Sequence, residues 1–204
     1  MAYRIAVLVS GTGSLLQALL DAEACGELQA QVVVVGADTA GAQGLGRAEK
    51  AGVATFVHPY RKGDDRLAWD EALTGLVAAH EVDLVVLAGF MKLVGPAFLA
   101  RFGGRTINTH PALLPSFPGM HGPRDALVHG VKITGTTVFE VDAGVDTGRI
   151  LAQQAVPVLP GDTVESLHER IKVAERALLV ETVNELADEH LTAASHPTAS
   201  QGDS

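Results

Sequence analysis

Asn108 and His110 stand two residues apart in the stretch TINTHPALLP, residues 106–115. On an extended strand, side chains at that spacing point to the same face. An asparagine amide can donate a hydrogen bond to a developing oxyanion. A histidine, with an ordinary pKa of about 6.5, can pass protons near neutrality. Pro111 and Pro115 stiffen the chain that follows. A hydrogen-bonded turn would use the same residues, so spacing alone leaves a structural and a chemical role open. Asp146, in VDAGVDTG (141–148), could orient a histidine or a water, although aspartates and glycines there also suit a solvated hairpin turn.

A second candidate is the loop SGTGS (10–14), between an apolar run and a helical pattern. Glycines let a ligand approach the backbone, and a helix N-terminus offers free N–H groups to an anion such as phosphate. A plain strand-to-helix turn capped by Ser14 explains the loop as well. The loop lacks a full dinucleotide fingerprint, since Leu16 holds the third glycine position, and no Gly-Lys-Ser/Thr follows. Asp38, after the second apolar run, could still imitate a ribose-binding acid, which keeps a nicotinamide oxidoreductase or a non-catalytic nucleotide-binding module as rivals.

Of the eight histidines, His58, His80, His129, His168, His190 and His196 read as structural. His121, in the loop after His110, ranks second. No spacing of histidine and carboxylate suits zinc, so no metal is expected. The one cysteine, Cys25, reads as a small residue in a helix's last turn, and no disulfide can form within the chain.

These residues need elements to hold them. Tyr3–Val9, Gln31–Gly36, Thr55–Val57, Val82–Leu87 and Arg105–Thr109 read as strands. Between them, helical spacing over Ser14 onward, Ala42–Ala51, Asp65–His80 and Gly95–Phe102 predicts helices. Arg124–Gly130 predicts another, followed by strands at Thr134–Val141 and Ile150–Val158. Asp162 is expected to cap a last helix from Thr163 to about Ala187. Strand–helix alternation predicts an α/β fold with a mostly parallel open sheet, helices on both faces and a more mixed C-terminal portion. Ligands of such sheets sit beyond the carboxyl ends of the strands, which points to the loops after the first, fourth and fifth strands.

The 204 residues suit one domain over 1–190, and 191–204 read as a disordered tail. A formal net charge of −9 argues against nucleic-acid binding, which needs clustered Lys and Arg. The N-terminal apolar run is too short for a signal peptide or a membrane span, so a cytoplasmic protein without a membrane partner is expected.

Four stretches together carry a resemblance: SGTGSLLQ (10–17), GFMKLVGPAF (89–98), INTHPALLPSFPGMHG (107–122) and VDAGVDTGRIL (141–151). In that order they resemble the folate-dependent formyltransferases, and the glycine loop narrows the match to the single-domain branch acting on glycinamide ribonucleotide. The resemblance implies a Rossmann-like sheet and transfer of formyl from 10-formyltetrahydrofolate to the amine of glycinamide ribonucleotide in purine synthesis. Asn108, His110 and Asp146 would be the catalytic group. Gly13, Ser14, Leu15, Leu16, Gln17, Lys172 and Glu175 would bind the ribonucleotide. Arg66, Met91, Lys92, Leu93 and Val94, with Asn108 and the segment Asp142, Ala143, Gly144, Val145 and Asp146, would bind the folate. Small molecules would be its partners, with a homodimer left open. Leu15, Pro123 and Arg149 depart from the family's usual Asn, His and Pro. Among relatives, an enzyme formylating methionyl-tRNA would need an added basic domain, and a formyl-folate hydrolase an N-terminal regulatory one. Action on an amino sugar is a further variant.

Overall fold

The computed structural model describes residues 2–195. Seven strands form one sheet in the order β3-β2-β1-β4-β5-β6-β7. They are β1 (Tyr3–Val9), β2 (Ala30–Ala37), β3 (Ala54–Val57), β4 (Leu84–Leu87), β5 (Thr106–His110), β6 (Ile133–Glu140) and β7 (Ile150–Pro157). The first five are parallel, and β5–β6 and β6–β7 are antiparallel. The predicted α/β class, mostly parallel sheet and mixed C-terminal part are all present.

Among the described residues six helices accompany the sheet: α1 (Ser14–Ala24), α2 (Gln43–Lys50), α3 (Arg66–Ala78), α4 (Pro96–Phe102), α5 (Gly122–His129) and α6 (Val164–Ser195). One face packs Ile5, Val7, Val9, Val35 and Ile107 against Leu16 and Leu19 of α1 and Leu179 and Val183 of α6. The other packs Ala6, Leu8, Val34 and Val85 against Leu73, Val77, Phe98 and Phe102 of α3 and α4. Alternate residues of β1 thus feed two cores, as a sheet buried on both sides requires. Each fully buried Leu or Phe contributes about 1.5–3 kcal/mol of burial.

Helix ends correct several expectations. Gly13, in the left-handed region at φ 70°, precedes α1, and Ser14 makes no side-chain cap there. Asp65 does cap α3, accepting from Leu67 and Ala68. At α6 the cap is Thr163, whose Oγ1 accepts from the Ser166 N–H at 3.2 Å while Ser166 Oγ accepts from the Thr163 N–H at 3.0 Å. Asp162, one residue earlier, instead takes the Arg170 guanidinium on both carboxylate oxygens at 2.8 Å. Cys25 is exposed just past the last residue of α1. Helix α6 runs on to Ser195, so 191–195 are not the tail expected from the sequence, and 196–204 lie outside the described residues.

Candidate active site

The strand order reverses between β1 and β4: the chain steps outward through β2 and β3, then returns across β1 to build the other half. A crevice opens there, beyond the strand ends. The loops after β1, β4 and β5 line a cleft of about 590 Å³, joined by the 142–146 segment and by α6. Ser10 ties two of these loops together, because its Oγ accepts from the Met91 N–H at 2.8 Å and its N–H donates to the Gly89 carbonyl at 3.2 Å.

His110 ends β5, opposite Thr137 of β6, and is buried. Its Nε2 lies 2.7 Å from the Phe117 carbonyl, an acceptor only, so that nitrogen carries a proton. Its Nδ1 lies 3.5 Å from Asp146 Oδ2. That same carboxylate oxygen accepts the Gly119 N–H at 2.7 Å, joining the loop after β5 to the loop after β6. Asp146 sits at φ 55°, a backbone region that costs a non-glycine residue of order 1–3 kcal/mol. Glu140, at the base of its loop, pairs with Arg149. Arg149 also accepts the Glu140 N–H on its carbonyl at 2.9 Å, so this hairpin is closed through backbone and side chain together. Asp142 Oδ1 accepts from the Gly144 N–H at 2.9 Å within the turn, while Asp146 faces inward toward His110.

Asn108 lies beside Leu87 of β4 and lines the cleft. Its Oδ1 accepts the Thr109 N–H at 2.9 Å, which leaves the amide NH2 as the group to present to a ligand. The loop after His110 is pinned from below by Thr137. The Thr137 hydroxyl donates to the Ala112 carbonyl at 2.7 Å and accepts from the Leu114 N–H at 3.0 Å. Gln153 adds a bond to the Leu114 carbonyl at 2.8 Å. At Gly122 a Cβ would lie 2.9 Å from the Pro111 carbonyl, so no larger residue fits beneath His110. Pro123 is buried in the first turn of α5, and His121 is exposed and outside the cleft lining.

Gly13, Ser14 and Leu15 line the cleft. The side chains of Leu15 and Leu16, however, are buried in the core, so at these positions only the backbone can reach a ligand. Gln17 faces a shallower groove between α1 and α6 rather than the cleft. Lys172 and Glu175 do line it. Burial pushes the Glu175 carboxyl above its ordinary value, partly offset by a hydrogen bond from Thr109. Met91, Lys92, Leu93, Val94 and all of Asp142–Asp146 line it too. Met91 and Leu93 are 68% and 62% exposed, an apolar rim of the kind that marks a ligand surface. Arg66 is not in the lining; its guanidinium lies over the Tyr60 and Trp69 rings, 5.0 and 4.5 Å from their centroids.

Sequence reasoning missed Ser10 and His168. His168 lines the cleft, and burial lowers its pKa. Its signal was present: 168, 172 and 175 repeat at the four-and-three spacing of one helix face. Asp38 does not line the cleft but pairs with Lys92 at 3.6 Å, so it braces the 91–94 segment from behind. Among the described residues, no cluster of His, Cys, Asp and Glu could hold a metal ion, and no helix is long and apolar enough to cross a membrane.

A cleft at the strand ends, holding a histidine–aspartate pair and an amide donor, is the frame in which the chain's likeness to known proteins has meaning. The family model for formyl transferases matches residues 3–183, and the chain belongs to that family. It is 57% identical to phosphoribosylglycinamide formyltransferase of Mycobacterium tuberculosis, over 98% of this chain and 91% of that one. Among solved structures it resembles glycinamide ribonucleotide transformylase 1 from Symbiobacterium toebii, with a TM-score of 0.89 and 47% identity over 92% of this chain and 88% of that one. It also matches a 17% portion of the trifunctional purine biosynthetic protein adenosine-3 of Bos taurus, at 44% identity over 86% of this chain.

Proposed function

We propose that the protein transfers the formyl group of 10-formyltetrahydrofolate to the amine of glycinamide ribonucleotide, a step of purine synthesis. The observation that carries this is the His110–Asp146 pair, 3.5 Å apart, beside Asn108 in a cleft bounded by the glycine loop and the 91–94 segment. The substrate amine attacks the formyl carbon and gives a tetrahedral intermediate with a negative oxygen. The Asn108 NH2, fixed by the bond at its Oδ1, donates to that oxygen. With Nε2 committed to Phe117, His110 meets the reacting atoms through Nδ1 alone. Asp146, 3.5 Å from Nδ1, orients the ring toward the oxyanion, and through a water it helps carry the amine's proton to the leaving folate nitrogen.

The exposed side chains of Met91 and Leu93 suit a flat apolar ring system, and nearby backbone groups suit its polar edge. At the other end, N–H groups of the loop Gly13–Leu15 receive the ribonucleotide phosphate, while Lys172 and Glu175 meet its charge and hydroxyls. Leu16 and Gln17 contribute by packing and by supporting the loop rather than by contact. No metal is required by this chemistry.

The test is formyl transfer to glycinamide ribonucleotide, followed by the spectral change of the folate. His110→Ala and Asp146→Asn should each reduce kcat by about 10²–10⁴ while circular dichroism stays unchanged. Near-normal turnover in either variant removes that residue from the catalytic group. Absence of transfer by the unaltered protein overturns the whole reading.

A further inference from the structure

We infer that Arg47, on α2, is a positioning residue for the anion pocket of the glycine loop. The inference rests on the reading of that loop as the phosphate site. Arg47 does not line the cleft; it approaches the loop from behind. Its Nε donates to the Thr12 carbonyl at 2.7 Å, and its Nη1 donates to Gln17 Oε1 at 2.8 Å. Gln17 Nε2 in turn donates to Asp21 Oδ1 at 2.7 Å, so the guanidinium links α2, the loop and α1. One turn earlier on α2, the Gly44 N–H donates to the Gly11 carbonyl at 3.2 Å.

The consequence follows from peptide geometry. In a trans peptide the carbonyl of one residue and the N–H of the next point in opposite directions. Drawing the Gly11 and Thr12 carbonyls toward α2 therefore turns the N–H groups of Thr12 and Gly13 the other way, toward the cleft. The Gly13 carbonyl is committed to the Gln17 N–H at 2.9 Å, which orients the Ser14 N–H likewise. Successive N–H groups aimed at one point form an anion nest. The loop can lie this close to α2 only because Gly13 has no side chain: a Cβ there would stand 2.7 Å from Gly44 Cα.

Leu15 makes this support matter more in this chain. Its side chain is buried at 7% exposure and cannot reach a ligand, so the pocket depends on peptide orientation. A charge-assisted bond to a carbonyl is among the stronger ways of fixing a peptide plane. Arg47 thus acts on phosphate affinity without touching phosphate.

The experiment compares glycinamide ribonucleotide with its dephosphorylated nucleoside as acceptor. In Arg47→Ala, KM for the ribonucleotide should rise about tenfold or more. The kcat should stay within about twofold, and KM for the nucleoside and for the formyl-folate should not move. Arg47→Lys keeps the charge but not the fork, and should recover part of the loss. A fall in Tm with unchanged ribonucleotide KM overturns the inference, and so does an equal loss for both acceptors. Gly13→Ala separates this from the underlying reading. If Gly13→Ala abolishes the preference for the phosphorylated acceptor and Arg47→Ala does not, the phosphate site stands and the role of Arg47 falls. If folded Gly13→Ala keeps that preference, the loop is not the phosphate site, and both fall. Arg47→Lys supplies the same comparison should Arg47→Ala not fold.

Discussion

Glu175 carries a cost that its neighbours only partly offset. It is a carboxyl buried at 6% exposure, held above its ordinary pKa by desolvation, with Thr109 and Lys172 acting against the shift. A raised carboxyl pKa means the folded state holds the proton more tightly than the unfolded chain. Stability from this group is therefore fully present below the unfolded value of about 4.3, and is lost as pH rises through the folded value. Glu175→Gln should raise Tm near pH 8 relative to the unaltered protein, and the difference should shrink toward pH 4. A Tm difference that does not vary with pH would remove burial of charge as the cause. The same substitution should raise KM for the ribonucleotide, since it replaces an acceptor oxygen facing the cleft with an amide NH2. Stability is here set against affinity at one atom pair, as is common where a site needs a group the core disfavours. His110 and Asn108 were legible as a pair because the strand period makes a two-residue spacing meaningful. Asp146 was not legible from spacing, because its contact with His110 is made by a loop folding back across 36 residues of chain.

Helix α6 shows how a single element serves both halves of the molecule. Its first turn is fastened by Asp162, which accepts from Arg170, from the Leu159 N–H and from the Ser166 hydroxyl. Hydrogen bonds from Arg170 and Leu159 hold the Asp162 carboxyl far below its usual range. Its sign is the reverse of that at Glu175. The stabilisation is present above the unfolded value of about 3.9 and is lost as pH falls through the lowered folded value. Asp162→Asn should lower Tm most at neutral pH, with the gap closing below about pH 4; an equal deficit at pH 3 and pH 7 would contradict this account. The next two turns place His168, Lys172 and Glu175 on the cleft, and the rest of the helix packs Leu179 and Val183 onto the sheet. The apolar runs of the strands made the sheet readable, since a strand buried on both faces leaves little else to choose. Helix ends were less readable, because Asp162, Thr163 and Ser166 all suit an N-terminus and only the fold decides which bonds form. Arg47 was invisible from sequence for a related reason: its effect passes through the carbonyl of Thr12, 35 residues earlier.

At the scale of the whole molecule, the order β3-β2-β1-β4-β5-β6-β7 brings the ends of β1, β4 and β5 to one place. Both proposed ligands then bind surfaces built from loops of the same sheet. Each should raise Tm, by about 2.7 kcal/mol of stability at a concentration 100 times its Kd. The cleft is one continuous space from the glycine loop to the 91–94 segment, with His110 between. That continuity constrains how turnover is ordered in time. Donor and acceptor can lie side by side, so the one-carbon unit need never rest on the protein between two separate visits. Initial rates measured against each ligand at fixed levels of the other should give intersecting rather than parallel reciprocal lines. With the donor alone, isotope placed in the formyl group should stay where it was put.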